Sequence, residues 1–238
     1  MVDELKDYQS FYFEGFKTLE ISESVSEKMD SVCTSLFRTT DVDLEKQGFV
    51  WKSKYPNTED LRPNVFDYDS VFLDFLFASN FHKTVNRLSQ RELILSHIQI
   101  RKSHPGPSYM SWHRDSYMYT HLVGNAPSAH KIIYYPLLDR EKEERLEIAV
   151  GSSVCGFSYN QNLDRQVLNI LPKIKVDSSK TTALFFDTRA FHSVIPDISQ
   201  EGSIRVIYSF VTEDQYRDYY ADDPLHSASY KLYTERLY

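Results

Sequence analysis

Glycine is scarce, with seven in 238 residues, and neither Gly-x-Gly-x-x-Gly nor Gly-x-x-x-x-Gly-Lys occurs. Those loops cradle phosphates with their backbone amides, so P-loop and Rossmann enzymes are disfavoured. Cysteine is scarcer still. Cys33 and Cys155 cannot build a disulfide framework or a four-thiolate zinc site. Both stand beside apolar residues and read as small buried hydrophobes. No run approaches the roughly 18 apolar residues of a membrane helix. The first residues, Met1-Val2-Asp3-Glu4-Leu5-Lys6-Asp7, are acidic and lack an apolar stretch. No secretory signal is read there, and cytoplasm is the expected compartment. Positive charge is also short, with 27 Lys and Arg against 34 Asp and Glu, a net −7. Nucleic-acid binding needs a basic surface, so that partner is disfavoured, and the surplus reads as an aid to solubility.

Aromatic residues are plentiful, with 17 Tyr and 15 Phe, which suits sheets and pocket walls. The texture changes near residue 90. Ser22 and Ser24 offer N-caps ahead of residues 25–37, where Val25, Met29, Val32, Cys33 and Leu36 recur at helical spacing. Residues 68–88 carry a second helical pattern, which Ser79-Asn80 breaks in two. The polar, proline-containing stretch 51–64 reads as loop. Beyond 90 the texture is β. Short apolar runs occupy 93–100, 132–138, 146–150, 167–171, 183–186, 191–195 and 204–211. That number suits a sandwich, barrel or jelly roll. Few intervening segments are long enough for crossover helices, which argues against a parallel α/β sheet. The expected layout is one domain over 1–238: helical support in 1–90, a β core in 91–212 and a tail in 213–238. The tail is rich in Tyr, Asp and Arg. It reads as a surface tail packed by its tyrosines, with a short helix, a lid and a dimer contact as alternatives.

His113-Arg114-Asp115 sets an imidazole and a carboxylate two residues apart. On a strand they share a face and can grip one ion. Alone the signal is weak. Eight histidines among 34 acidic residues in 238 yield about one His-x-Asp/Glu by chance. His192 offers a third ligand from the strand-like run 191–195. Arg205 then interrupts the apolar stretch Ile204-Arg205-Val206-Ile207-Tyr208. A buried arginine needs a carboxylate. No partner stands on its own strand, so a ligand carboxylate would answer the need, with Asp187 as the protein alternative. Two histidines and one carboxylate form the facial triad of non-haem Fe(II) oxygenases, which leaves adjacent positions open. A keto acid can chelate two of them and dioxygen take the third, while a nearby arginine holds the keto acid's far carboxylate. His97 is the other histidine placed to face such a pocket.

Further segments flank these residues. Gln99-Ile100-Arg101-Lys102, then Pro105-Gly106, lead to Ser111-Trp112-His113-Arg114-Asp115. Leu137-Leu138-Asp139 precedes Leu146-Glu147-Ile148-Ala149-Val150-Gly151-Ser152-Ser153. Ala183-Leu184-Phe185-Phe186-Asp187 leads to Phe191-His192. Together they resemble the Fe(II)/2-oxoglutarate dioxygenases, and within them the phytanoyl-CoA hydroxylase-like family. Residues 71–88 resemble the helix before that family's first core strand. The likeness spans about 70–190 plus Arg205.

The resemblance implies a mainly β fold, a double-stranded β-helix (jelly roll, cupin-like) core with supporting N-terminal helices. It implies Fe(II), with 2-oxoglutarate and O2 as co-substrates. It also implies hydroxylation of a small-molecule C–H bond with release of succinate and CO2. His113, Asp115 and His192 would be the metal ligands. Arg205 would bind the distal carboxylate of 2-oxoglutarate, and Gln99 would project into the barrel at the keto-acid end. Three departures stand out. Gly151-Ser152-Ser153 lacks the family's histidine, which is not a ligand. The His192-to-Arg205 spacing is long, which puts a turn extension at 196–202. Val194 replaces a hydroxyl that helps the carboxylate in some members, so Tyr109 or Tyr134 would have to donate instead. The intact Asp115 disfavours a halogenase. Trp112 reads as packing behind the site, while Trp112, Arg114 and Tyr117 are candidates for the substrate mouth. The competing functions are a non-catalytic jelly-roll binding module and a cupin-like metalloenzyme of another reaction type. Neither needs Arg205.

Overall fold

A computed structural model describes residues 2–38, 52–55, 59–63, 68–103, 111–115, 130–136, 143–155, 161–195, 203–222 and 224–237. After α1 (Val2–Glu14) and β1 (Phe16–Glu20), α2 (Glu23–Arg38) turns Ser26, Met29, Cys33 and Leu36 inward. The Ser22 carbonyl accepts from the amides of Val25 and Ser26 where α2 begins. β2 (Lys52–Tyr55) and β3 (Glu59–Pro63) follow. α3 (Val71–Ala78) and α4 (Phe81–Ser89) divide at Ser79-Asn80, as the sequence predicts. Asn80 takes a left-handed φ of 53°, a conformation asparagine tolerates better than most residues.

Next come β4 (Leu93–Ser103), β5 (His130–Tyr134) and β6 (Glu143–Ala149), then α5 (Gln161–Ile170). The chain continues through β7 (Lys173–Ser178), β8 (Thr182–Asp187), β9 (His192–Val194) and β10 (Ser203–Thr212). It ends in α6 (Glu213–Tyr219) and α7 (Pro224–Leu237). Among the described residues, seven strands form one antiparallel sheet in the order β1-β8-β5-β10-β4-β3-β2, and three form a second in the order β7-β6-β9. The two sheets make the jelly roll.

Period-two alternation along the large sheet feeds two cores. Ile98, Ile100, Ile132, Tyr134, Phe185, Val206, Tyr208 and Phe210 pack under the helices. Ile133, Tyr135, Leu184, Phe186 and Ile207 pack inward against Leu146, Ile148 and Val176 of the small sheet. On the helix side Phe75 lies 5.0 Å from the Tyr134 ring and stacks nearly parallel on Tyr208 at 5.5 Å. Truncating it to alanine would cost about 3–5 kcal/mol.

Three expectations are corrected. Residues 51–64 hold the β2–β3 hairpin, which extends the sheet beyond β4. Edge strands can stay polar, so alternation does not reveal them. Residues 167–171 belong largely to α5. Leu163, Val167 and Leu168 recur at helical spacing, and Leu168 is buried while Ile170 is 81% exposed. The tail is two helices. A reciprocal capping box between Thr212 and Gln215 starts α6, Tyr216 stacks on Tyr230 at 4.2 Å, and α7 packs on β4 with Tyr233 buried. Among the described residues no helix is long and apolar enough to cross a membrane. The expected extension at 196–202 lies outside the described residues.

Candidate metal centre

The site starts from backbone pairing. His113 and His192 form an isolated antiparallel bridge that adds residue 113 to the edge of the small sheet. Each amide donates to the other's carbonyl at 3.0 Å. Alternation then sends both imidazoles inward and their neighbours outward. Asp115 is held by its amide, which donates to the Thr188 carbonyl at 3.3 Å. Ser152 supports the same strand end. Its buried hydroxyl donates to the Ala149 carbonyl at 2.6 Å and accepts from the Phe191 amide at 2.8 Å. Gly15 lets the N-terminal segment approach. Its φ is +85°, its carbonyl accepts from the Asp187 amide at 2.9 Å, and a Cβ there would meet Ala190 and Ser153 at 3.1 Å.

The imidazoles are oriented by their far nitrogens. His113 Nδ1 lies 2.7 Å from the Ser111 carbonyl and His192 Nδ1 lies 2.9 Å from the Ala190 carbonyl. Each Nδ1–H donates there, which leaves a lone pair on each Nε2. Both lone pairs face Asp115 Oδ1, at 3.5 Å from His113 and 3.6 Å from His192. His113 Nε2 is buried with no hydrogen-bond partner. Three electron-pair donors thus converge with no proton between them, all within 4.8 Å of one another. That arrangement asks for a cation, and a mixed imidazole–carboxylate set suits a divalent transition metal.

Burial would raise the Asp115 carboxyl, but the Lys131 ammonium beside it and the two imidazoles hold it well below the usual carboxylate range. Burial, with the neighbouring His113, pushes His192 down to about 4. Asp115 and His192 are therefore in their metal-binding forms at neutral pH.

The predicted residues divide by sheet face. Register pairs Gln99 with Ile207 and Ile207 with Ile133, on the inward face. Arg205 and Arg101 stand opposite each other on the same face, 5% and 7% exposed. Arg101 was not singled out by the sequence, although an arginine two residues from Gln99 on a strand must share its face. Lys131, also missed, donates to Asp115 Oδ2 at 2.5 Å. His97, opposite Ser209, lies on this inward face too.

Other expectations are overturned. Tyr134 points to the helix side, where its hydroxyl meets Ser26 Oγ at 3.0 Å and the Lys180 carbonyl at 3.1 Å. It cannot reach a keto acid between the sheets. Arg114 alternates outward, is 2% exposed and lays its guanidinium 4.2 Å over the Phe191 ring. It packs behind the site and is no mouth residue. Trp112 packs there as well, against Ala149, Leu168 and Phe191. Asp187 is on the helix face and chelated by Arg189, so it is not the partner of Arg205. Tyr109 and Tyr117 lie outside the described residues.

No family profile and no curated protein matches the sequence. Solved structures do match. The non-heme alpha ketoglutarate dependent epimerase SnoN from nogalamycin biosynthesis aligns with TM-score 0.69 at 11% identity, over 89% of this chain and 81% of its own. EctD from S. alaskensis with 2-oxoglutarate and 5-hydroxyectoine gives 0.67 at 14%, over 88% and 76%. AviO1 from Streptomyces viridochromogenes Tue57 gives 0.65 at 15%, over 90% and 96%. The shared element is the fold. It is an antiparallel jelly roll.

Proposed function

We propose that this chain is an Fe(II)- and 2-oxoglutarate-dependent oxygenase of the phytanoyl-CoA hydroxylase-like kind, acting on a C–H bond of a small molecule. The observation that carries the reading is the convergence of His113 Nε2, His192 Nε2 and Asp115 Oδ1, with both Nδ1 atoms already committed to carbonyls. The neighbours support it. SnoN is solved with Fe3+ and alpha ketoglutarate, and EctD with Fe and with 2-oxoglutarate.

In this reading His113, Asp115 and His192 hold iron, which with 2-oxoglutarate and O2 supplies the oxidising power and yields succinate and CO2. The inner face of the large sheet supplies the co-substrate slot. Lys131–Ser209 forms a row at the metal end, Gln99–Ile207–Ile133 the next inward row, and Arg101–Arg205 the one beyond. Four residues of strand separate the ends, about 13 Å, a span the long arginine side chain shortens. A dicarboxylate with one end at the metal would lie along these rows and turn its other end toward Arg205, a role that a binding module or a cupin-like enzyme of another type does not need. The chain acts as one domain in the cytoplasm, and its partner is a small molecule rather than a nucleic acid.

Among the neighbours SnoN is an epimerase and SnoK a carbocyclase. Epimerisation or ring closure is therefore a second outcome for the same site, decided by what the bound substrate presents. The test is succinate formation from 2-oxoglutarate with Fe(II) and O2, screened for stimulation by candidate small molecules. Wild type should form succinate and His192→Ala should not. Equal rates in the two would contradict the reading.

A further inference from the structure

Lys131 is a cation on the inward face of a buried strand. Its register neighbours are Phe186 on β8 and Ser209 on β10. Its side chain is 18% exposed, and its ammonium lies 2.5 Å from Asp115 Oδ2. A lysine is buried at a cost unless it is paired. Here the pairing falls on one particular oxygen of a metal-ligand carboxylate. Oδ1 faces the two imidazoles, and Oδ2 faces the ammonium.

From this we infer that Lys131 is a positioning residue that makes Asp115 a one-oxygen ligand. A carboxylate with both oxygens free can chelate a divalent ion and occupy one coordination position more than a single oxygen does. The proposed chemistry needs those positions for the keto acid and dioxygen. With Oδ2 engaged by Lys131, only Oδ1 is offered. The ammonium also repels the cation and attracts an arriving carboxylate. Lys131 therefore trades metal affinity for co-substrate affinity. The inference rests on the metal-binding reading above and adds a residue that the sequence did not mark.

The test uses the full chain, stripped of metal and titrated anaerobically with Co(II), followed by calorimetry and visible absorption. 2-Oxoglutarate is then titrated into the Co(II)-loaded protein. Lys131→Met should bind Co(II) several-fold more tightly, with a changed ligand-field spectrum as the second oxygen coordinates. Its 2-oxoglutarate affinity should fall about tenfold or more. Lys131→Arg keeps the charge and a donor and should restore both values toward wild type, which a merely structural role would not predict. If Lys131→Met matches wild type in spectrum and in both affinities, or binds Co(II) more weakly, the inference is overturned while the metal site stands. If wild type itself takes up no Co(II), the metal-binding reading falls and the inference with it.

Discussion

His113 and His192 face each other as a single hydrogen-bonded pair, each amide donating to the other's carbonyl at 3.0 Å, with ring centroids 4.3 Å apart. The two imidazoles are therefore set side by side by backbone geometry before any ion arrives. Second-sphere groups that hold this bridge should then govern metal affinity as strongly as they govern stability.

Ser152 is the first such group. Ser152→Ala leaves the buried Phe191 amide without its acceptor and should cost about 1–3 kcal/mol in a urea titration. Because Phe191 leads directly into His192, metal affinity should also drop by about tenfold. A loss of stability with unchanged metal affinity would show that Ser152 supports the fold alone.

Arg205 and Tyr134 separate the two faces of the large sheet. Arg205→Ala should raise the 2-oxoglutarate requirement by about 10- to 100-fold, as expected for losing a charged hydrogen-bond pair. Arg205→Lys should recover part of it. Tyr134→Phe should leave the requirement unchanged and cost about 1 kcal/mol of stability, since its hydroxyl serves Ser26 and Lys180. A Tyr134→Phe variant with weakened 2-oxoglutarate binding would contradict the assigned faces.

Arg114 tests the assignment of residues behind the site. Arg114→Ala removes a buried guanidinium stacked on Phe191 and should destabilise the protein by about 2 kcal/mol or more. Substrate preference should not move. A changed preference with unchanged stability would return Arg114 to the mouth.

Acid should weaken the metal-free protein through its buried histidines. Burial pushes His130 down to about 4. Above pH 6.5 the imidazole is neutral in both folded and unfolded chains. Below that, the unfolded chain takes a proton the fold refuses, so stability falls until about pH 4, by about 3 kcal/mol at most. His130→Phe should preserve the stacking against Phe11 and Phe185 and flatten the pH dependence of unfolding between 6.5 and 4. An unchanged slope would contradict this role for His130.

The jelly roll and the triad were legible in the sequence for one physical reason. Burial on both faces writes nearly unbroken apolar runs into β4, β8 and β10, against which polar residues such as Arg205 stand out. Residues whose roles depend on another strand left no local mark. Lys131 has meaning only beside Asp115, and Arg101 only across from Arg205. Tyr134 and Arg114 face away from the pocket because each stands one residue off the inward-facing positions, Ile133 for the first and His113 and Asp115 for the second. The β2–β3 hairpin stayed hidden because edge strands need no apolar alternation. The run 167–171 reads as a strand in isolation, while the helical spacing shows only over the longer stretch from Leu163 to Ile170, about two turns.

The central claim is that His113, Asp115 and His192 hold Fe(II) and that 2-oxoglutarate chelates it. The most direct measurement is an anaerobic titration of the protein with Fe(II) and 2-oxoglutarate, followed by visible absorption. Wild type should develop the metal-to-ligand charge-transfer band of an Fe(II)–keto-acid chelate, and His113→Ala and Asp115→Ala should abolish it. No band in wild type, or an unchanged band in either variant, would contradict the account.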